Sequence, residues 1–332
     1  MKAIRVDAFG PPAEVVRYLE APEPESPRQG EVLVSVEAAP INPSDLLILS
    51  GIYGALPRLP TFPGKEGVGR VESVGSDVTQ VKRGDRVMLP LGAGTWRQRV
   101  TVRADEVIPA PADADPAKLS MGIINPLTAH ALLHEFVKLG RGEWVVQNAA
   151  SSSIGRWIIH LAKEAGLKTV NVVRHESACD PLLALGANVV LVDGAELGKR
   201  IMAATRGAQI KLVLDAVAGS ATTRIAACLD HGGTVVSYGM LSGEPIMLSP
   251  NDLIFRDIHL DGFWLLSHLR SQPADKTRAL VTKMLGLIAS GAVDVAVEAS
   301  YGLDRIRDAV AHAQRPGRNG KIVLLPNAEP TS

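Results

Sequence analysis

A chain of 332 residues is about two ordinary domains long and buries a substantial core without covalent staples. It carries 35 Lys and Arg against 35 Asp and Glu, so its net charge is zero, which argues against a polyanion such as nucleic acid as the main partner. Only two cysteines, Cys179 and Cys228, are present, which excludes a disulfide framework and a Cys-rich structural zinc lobe and fits a reducing compartment.

Residues Met1 to Asp7 pass directly into alternating apolar and polar positions, without the apolar core and cleavage site of a signal peptide. No stretch approaches the ~20 apolar residues of a membrane span, so a soluble, cytoplasmic protein with no membrane partner is expected. Glu31 to Glu37 puts Val32, Val34 and Val36 on one face of a strand, and Gly69 to Gly75 alternates in the same way. Residues 21–27 and 52–64 read as loops, because proline removes backbone donors and restricts the residue before it. Residues 1–118 therefore read as a compact, mostly β domain.

From residue 119 the rhythm changes to strand, helix, strand, helix. Glu143 to Asn148 reads as a buried strand, and Ile154 to Ala165 as a helix that Gly166 ends. Strands follow at Thr169 to Val173, Asn188 to Val192, Lys211 to Leu214, Gly233 to Ser237 and Ile258 to Phe263, with helices at Ser177 to Leu185 and Thr222 to Leu229 between them. Repeated βα units specify a parallel sheet covered on both faces, the dinucleotide-binding architecture, over residues 119–265. The tail adds helices at Pro273 to Ser290 and Gly302 to Ala313 and a strand at Lys321 to Leu325. No further βαβ unit follows, so residues 266–332 are expected to return to the first domain.

The junction between the first strand and helix of the second domain is Gln147-Asn148-Ala149-Ala150-Ser151-Ser152-Ser153-Ile154-Gly155. A dinucleotide fingerprint uses glycines for a tight turn, close approach to pyrophosphate and helix packing, and here only Gly155 survives. Alanine and serine still allow a close approach, and serine hydroxyls donate to phosphate beside the N–H groups of the helix start. The plain alternative is a Ser-rich helix cap with no ligand; the preceding strand and following βα series favour a nucleotide site. Arg174 stands at the end of the second strand, where an acidic residue selects NAD and an arginine pairs with a 2′-phosphate. Nearby Glu176 offers the NAD alternative; the guanidinium favours NADPH.

Two other patterns carry less. His130 and His134 share a helix face at i, i+4, but Ala131 stands where a metalloprotease motif has its catalytic Glu, so the pair reads as a coincidence of a helix surface. There is no Gly-x-Ser-x-Gly elbow, so Ser151 to Ser153 belong to a phosphate turn and not to a nucleophile.

Gly64-Lys65-Glu66-Gly67-Val68-Gly69 and Gly84-Asp85-Arg86-Val87, with the βα region, resemble the medium-chain dehydrogenase/reductase superfamily over essentially the whole chain. Within it, Pro40 to Asp45, Ser50 to Gly54, Gly94 to Arg97, Asn125 to Ala129, Val146 to Ala149, Asn171 to Arg174 and Gly262 to Leu265 resemble the trans-2-enoyl thioester reductases. The resemblance implies an α/β protein: a GroES-like, mostly β catalytic domain joined to a Rossmann domain with a doubly wound parallel sheet. It implies NADPH as cofactor, a catalytic role for Tyr53, and a homodimer through the Rossmann sheet edge near Gly233 to Phe263.

The resemblance also places Asn125 near the nicotinamide, and Ser151, Ser152, Ser153, Ile154 and Gly155 near the pyrophosphate. Arg174, His175 and Glu176 fall near the ribose phosphate, while Tyr238, Gly239, Met240 and Leu241, with Phe263, Trp264, Leu265 and Leu266, line the cofactor cleft. Lys321 matches a further cofactor contact. Zinc enzymes of the superfamily place a Cys near Asn42, a His at Lys65 and a Cys at Asn125; none of the three is present, so no metal is expected and Lys65 takes a salt-bridging or positioning role. The implied reaction is NADPH-dependent reduction of the C=C bond of an acyl thioester, on CoA or a carrier protein. The alternatives are a quinone or other activated-alkene reductase on the same fold and a non-catalytic NADPH-binding protein.

Overall fold

The computed structural model describes residues 1–328. The chain divides into two compact units, one formed by Met1–Ile124 and the segment from Ala274 onward, the other by Asn125–Pro273. In the first unit β1 (Lys2–Val6) pairs antiparallel with β2 (Val16–Glu20). The long strand β3 (Glu31–Pro40) buries Val32, Val34 and Val36 completely, as its period-2 pattern requires. Along it run β4 (Val68–Val74) and, farther out, β5 (Arg86–Met88) and β7 (Ile108–Pro109), with β6 (Arg99–Arg103) on Glu31–Ser35. Arg86 of the Gly-Asp-Arg-Val motif is a staple: it is buried, pairs with Glu37 at 2.7 Å and donates to the carbonyls of Pro111, Ala112 and Ala114.

The second unit holds β8 (Trp144–Gln147), β9 (Lys168–Val173), β10 (Val189–Val192), β11 (Ile210–Asp215), β12 (Thr234–Ser237) and β13 (His259–Gly262). Their order is β10-β9-β8-β11-β12-β13 and every neighbouring pair is parallel. Parallel neighbours need long crossovers, and the intervening helices supply them. Adjacent residues of one strand face opposite ways: Val172 packs with Leu197, Ile201 and Ile225, while Val173 packs with Ile159 and Leu182. Both faces of the sheet are therefore covered by helices, which is the doubly wound arrangement. Gly166, at φ +72, follows the helix Ser153–Glu164 and its cap residue Ala165.

Two tail strands, β14 (Val297–Tyr301) and β15 (Lys321–Leu324), belong to the first unit. They pair in parallel, and β15 continues the sheet antiparallel against Ala39 and Pro40 of β3. The helix Ile306–Gln314 crosses between them and packs Ile306, Ala309 and Val310 into the core of β3.

Some boundaries differ from the sequence pattern. The expected helix 177–185 is a 3-10 turn, Glu176–Ala178, followed by a helix, Cys179–Ala184; the one at 222–229 runs Ser220–Ala226 after Gly219 at φ +61. Residues 119–124 lie in the first unit, where the N–H groups of Ile123 and Ile124 donate to Glu66, and residues 266–273 lie in the second. Among the described residues no helix is long and apolar enough to cross a membrane.

Leu214, completely buried on the central strand β11, tests this core. Leu214→Ala lowers stability by about 2–5 kcal/mol, whereas Leu183→Ala, at a position 46% exposed, changes it by less than about 0.5 kcal/mol; urea unfolding followed by circular dichroism distinguishes them.

Candidate active site

In an open parallel sheet the ligand crevice lies outside the carboxyl ends of the strands, where the strand order reverses. That point falls between β8 and β11. Asn148, after β8, donates through Nδ2 to Asp215 Oδ1 at 2.6 Å and accepts from Ala216 N–H at 2.8 Å. Asp215 also accepts from the N–H groups of Val217 and Ala218 and from the Thr222 hydroxyl. This buried pair ties the two strand ends together beneath the turns. Neither residue is among those expected from the sequence; the available signal was an amide that ends one predicted strand and a carboxylate just after another.

Above the pair, Ala149 holds φ +47, a left-handed conformation costing a non-glycine residue about 1–3 kcal/mol. Gly155 leaves no room for a side chain, since a Cβ there would lie 2.4 Å from the Ala150 carbonyl oxygen. The helix Ser153–Glu164 thus starts flush against the turn, capped by the Ser152 hydroxyl, which accepts from Gly155 N–H at 3.1 Å. Its first N–H groups lack partners within the helix and, with the helix dipole, form an anion-binding end. Ser151 is exposed, and Ser153 and Ile154 are half-buried.

The neighbouring strand is locked alongside, because Gln147 Nε2 donates to Asn171 Oδ1 at 2.7 Å and to the Gly155 carbonyl at 3.0 Å. Arg174, His175 and Glu176 leave β9 exposed, and Arg174 has no hydrogen bond or ion pair with any described residue. After β12, Tyr238 N–H donates to the Asp215 carbonyl and Leu241 N–H to the Ala216 carbonyl, while Gly239 presses on Ala216 and Met240 is exposed. The Tyr238 hydroxyl is buried without a partner, and burial, with the charge of Asp215, raises its pKa. After β13, Phe263 N–H donates to the Ser237 carbonyl and its ring meets Phe136 and His268. Trp264 caps the helix Leu265–Ser271, in which Leu265 is buried and Leu266 half-buried.

Four expected segments therefore meet at the carboxyl edge of one sheet. Buried Asn125, on the helix Ile124–His134, has an amide Nδ2 without a partner. A glycine where no Cβ fits, an open helix start, a guanidinium without a partner among the described residues and two orphaned buried polar atoms suit a dinucleotide. On the same helix, His130 and His134 stack at 4.6 Å between ring centroids.

Tyr53 lies in the first unit, half-buried in the loop between the helix Pro43–Leu49 and β4. Lys65 Nζ sits 3.8 Å from the centroid of its ring. Next along the chain, Glu66 is completely buried and accepts from Asn42 Nδ2 at 2.8 Å and from the N–H groups of Ile124 at 2.9 Å and Ile123 at 3.3 Å. Lys321 donates to Asn42 Oδ1 at 2.6 Å, so Asn42 bridges a buried anion and a buried cation. Loss of hydration pushes the Glu66 carboxyl up and the Lys321 ammonium down. Lys321 thus has a buried partner within the first unit. Asp45 Oδ2 accepts from Asn42 N–H at 2.8 Å. Burial raises its carboxyl to about 6, opposed by that hydrogen bond and by the charges of Lys65 and Lys321.

Two family models match the chain: an alcohol dehydrogenase GroES-like domain over residues 28–112 and a zinc-binding dehydrogenase over residues 153–281. The human mitochondrial enoyl-acyl-carrier-protein reductase is 34% identical over 331 residues, spanning 98% of this chain and 88% of that protein. A Bacillus thuringiensis protein assigned as an NADPH:quinone reductase superposes with a TM-score of 0.89 at 30% identity over 98% of both chains. The quinone oxidoreductase of Escherichia coli, solved with NADPH, gives 0.86 at 26% identity over 98% of this chain and 100% of that one. The chain belongs to the medium-chain dehydrogenase/reductase superfamily.

As a medium-chain reductase it is an oxidoreductase with a GroES-like unit and a Rossmann unit. The zinc in one family model's name does not suit its side chains. Zinc binds deprotonated nitrogen or sulfur ligands, yet Lys65 presents an ammonium and the Asn42 amide is committed to Glu66 and Lys321. Asn125 offers only an amide. Among the described residues no three His, Cys, Asp or Glu side chains cluster as a metal site.

The Asp45 environment has a measurable sign. A carboxyl at about 6 when folded, against an ordinary 3.8, binds more proton in the native state between those values, so stability falls as pH rises through the window. Asp45→Asn has no charge to bury. Its stability relative to wild type therefore rises from about pH 4 to about pH 6 and levels off above, as urea midpoints at several pH values will show.

Proposed function

We propose that this medium-chain reductase uses NADPH, without zinc, to reduce the C=C bond of an α,β-unsaturated acyl thioester carried on CoA or a carrier protein. Tyr53 carries this assignment: a half-buried phenol faced by a cation, in a chain 34% identical over nearly its whole length to an enoyl-acyl-carrier-protein reductase. Bound NADPH supplies a hydride to the β-carbon of the conjugated system. Negative charge then develops on the thioester oxygen and the α-carbon takes a proton. The Tyr53 hydroxyl meets that charge as hydrogen-bond donor or general acid. The turn from Ser151 to Gly155 receives the pyrophosphate, and Arg174 pairs with the 2′-phosphate. Glu176 would serve an NADH site; the partnerless guanidinium beside it favours NADPH, as does the NADPH bound by the E. coli quinone oxidoreductase.

The similarity to the B. thuringiensis and E. coli proteins supports a second reading, reduction of quinones, which present the same conjugated system. A panel of crotonyl-CoA, 1,4-benzoquinone and 9,10-phenanthrenequinone with NADPH or NADH, with and without chelator, decides between them. The first reading expects chelator-insensitive NADPH consumption with crotonyl-CoA; turnover of the quinones alone establishes the second. Tyr53→Phe lowers kcat by roughly 10²-fold or more, and Arg174→Ala weakens NADPH binding about tenfold or more while sparing NADH.

We further infer a homodimer through the edge strand β13. All four of its residues are exposed, and Ile254 (68%) and Phe255 (73%) stand exposed on the preceding helix Pro250–Phe255. An open strand edge flanked by exposed apolar side chains is a liability that a second copy removes. Light scattering at micromolar concentration is expected to give a dimer for wild type and a monomer for Phe255→Asp; a wild-type monomer would sink the inference.

A further inference from the structure

Tyr53 occupies a loop without regular secondary structure, so no backbone ladder fixes where its ring points. Lys65 has the opposite kind of root. Before it, Gly64 sits at φ +106, where a Cβ would lie 2.5 Å from both Thr95 Oγ1 and Trp96 Cδ1, and its carbonyl accepts from the N–H groups of Gly94 and Thr95. The Lys65 carbonyl accepts from Gly92 N–H at 2.7 Å. After it, the Glu66 carbonyl accepts from the Thr95 hydroxyl at 2.8 Å, and the Glu66 carboxylate is anchored by Asn42 and the N–H groups of Ile123 and Ile124. The Cα of Lys65 is thus held on both sides, and its half-buried stem carries a cation to the face of the Tyr53 ring at 3.8 Å. A cation at that distance is attracted by the ring quadrupole, more strongly where water is partly excluded.

We propose that Lys65 is a positioning residue for Tyr53: its rigidly rooted ammonium clamps the ring of a loop phenol so that the hydroxyl is held ready for the substrate. The inference rests on the catalytic reading of Tyr53 and deepens it. The clamp needs a cation and not a particular amine, because a guanidinium stacks on an aromatic face as well. It acts through Tyr53, so its effect on turnover must vanish when the hydroxyl does.

A double-mutant cycle on the full-length enzyme tests both statements. Lys65→Met is expected to lower kcat roughly tenfold with little change in the KM for NADPH, and Lys65→Arg to stay within about threefold of wild type. In the Tyr53→Phe background, Lys65→Met is expected to change kcat by less than about twofold. An equal loss in both backgrounds would show that Lys65 acts on substrate independently and would overturn the clamp, as would failure of Lys65→Arg to restore activity.

A second arm needs no turnover. The chain has four tyrosines, so 3-fluorotyrosine labelling gives four fluorine resonances, and Tyr53→Phe identifies the one to follow. That resonance is expected to shift in Lys65→Met as the cation leaves the ring face, and to stay near its wild-type position in Lys65→Arg. If wild type reduces none of the acceptors, the functional reading fails while the fluorine spectrum still reports on the pair. An unchanged Tyr53 resonance in Lys65→Met overturns the clamp by itself.

Discussion

The Glu66 carboxylate is completely removed from water, and the first unit is organised around satisfying it. A buried charge costs several kcal/mol unless partners replace its hydration. The partners come from distant stretches of chain: Asn42 at the start of a short helix, Ile123 and Ile124 where the first unit ends, and, through Asn42, Lys321 in the final strand. Lys321 and Asn42 are 279 residues apart in sequence. The carboxylate therefore has its full set of partners only when the tail has returned and β15 has docked on β3, so one polar network couples closure of the GroES-like unit to completion of the chain. The same anchoring fixes the backbone from which Lys65 reaches Tyr53.

The Rossmann unit solves a related problem at its switch point. Strand ends there expose backbone groups, and Asn148 and Asp215 satisfy each other and the N–H groups of Ala216, Val217 and Ala218. With that floor in place, the turn above tolerates Ala149 at φ +47 and serines where dinucleotide turns use glycine. The one position that tolerates no substitution is Gly155, because the helix start rests on the Ala150 carbonyl. A phosphate site made from backbone N–H groups and a helix dipole depends on that close approach more than on the side chains around it.

What the sequence made legible follows from what is local. The period-2 pattern of β3, the βα rhythm of the second unit, the serine-rich turn into a helix and Arg174 at a strand end all depend on neighbours within a few residues, and the structure has each element where its pattern implies. The Lys321–Asn42–Glu66 network was illegible because its members are set together by a chain reversal that no window of sequence contains. Resemblance assigns Lys321 a cofactor contact, and nothing in its own stretch of sequence points to Asn42 as the partner of its ammonium. Asn148 and Asp215 were hidden for a similar reason: each is an ordinary polar residue at a strand end, and only parallel pairing of β8 with β11 brings them together. The strand β14 was missed because Val297–Tyr301 is short, half-buried and interrupted by Ala and Ser, too weak a pattern to compete with a loop assignment.

Charge development decides what the site requires. Oxidation of an alcohol needs its hydroxyl proton made acidic, a task for which a Lewis-acidic metal suits a dehydrogenase. Reduction of a conjugated C=C bond, on the proposed reading, gathers charge on a carbonyl oxygen that hydrogen-bond donors can stabilise. For that chemistry a phenol held in place by an ammonium is sufficient, and an ammonium at Lys65 would oppose a divalent cation in the same place. On that reading the position that zinc enzymes give to a histidine and the cation that faces the phenol are one residue, Lys65, whose backbone is held on both sides.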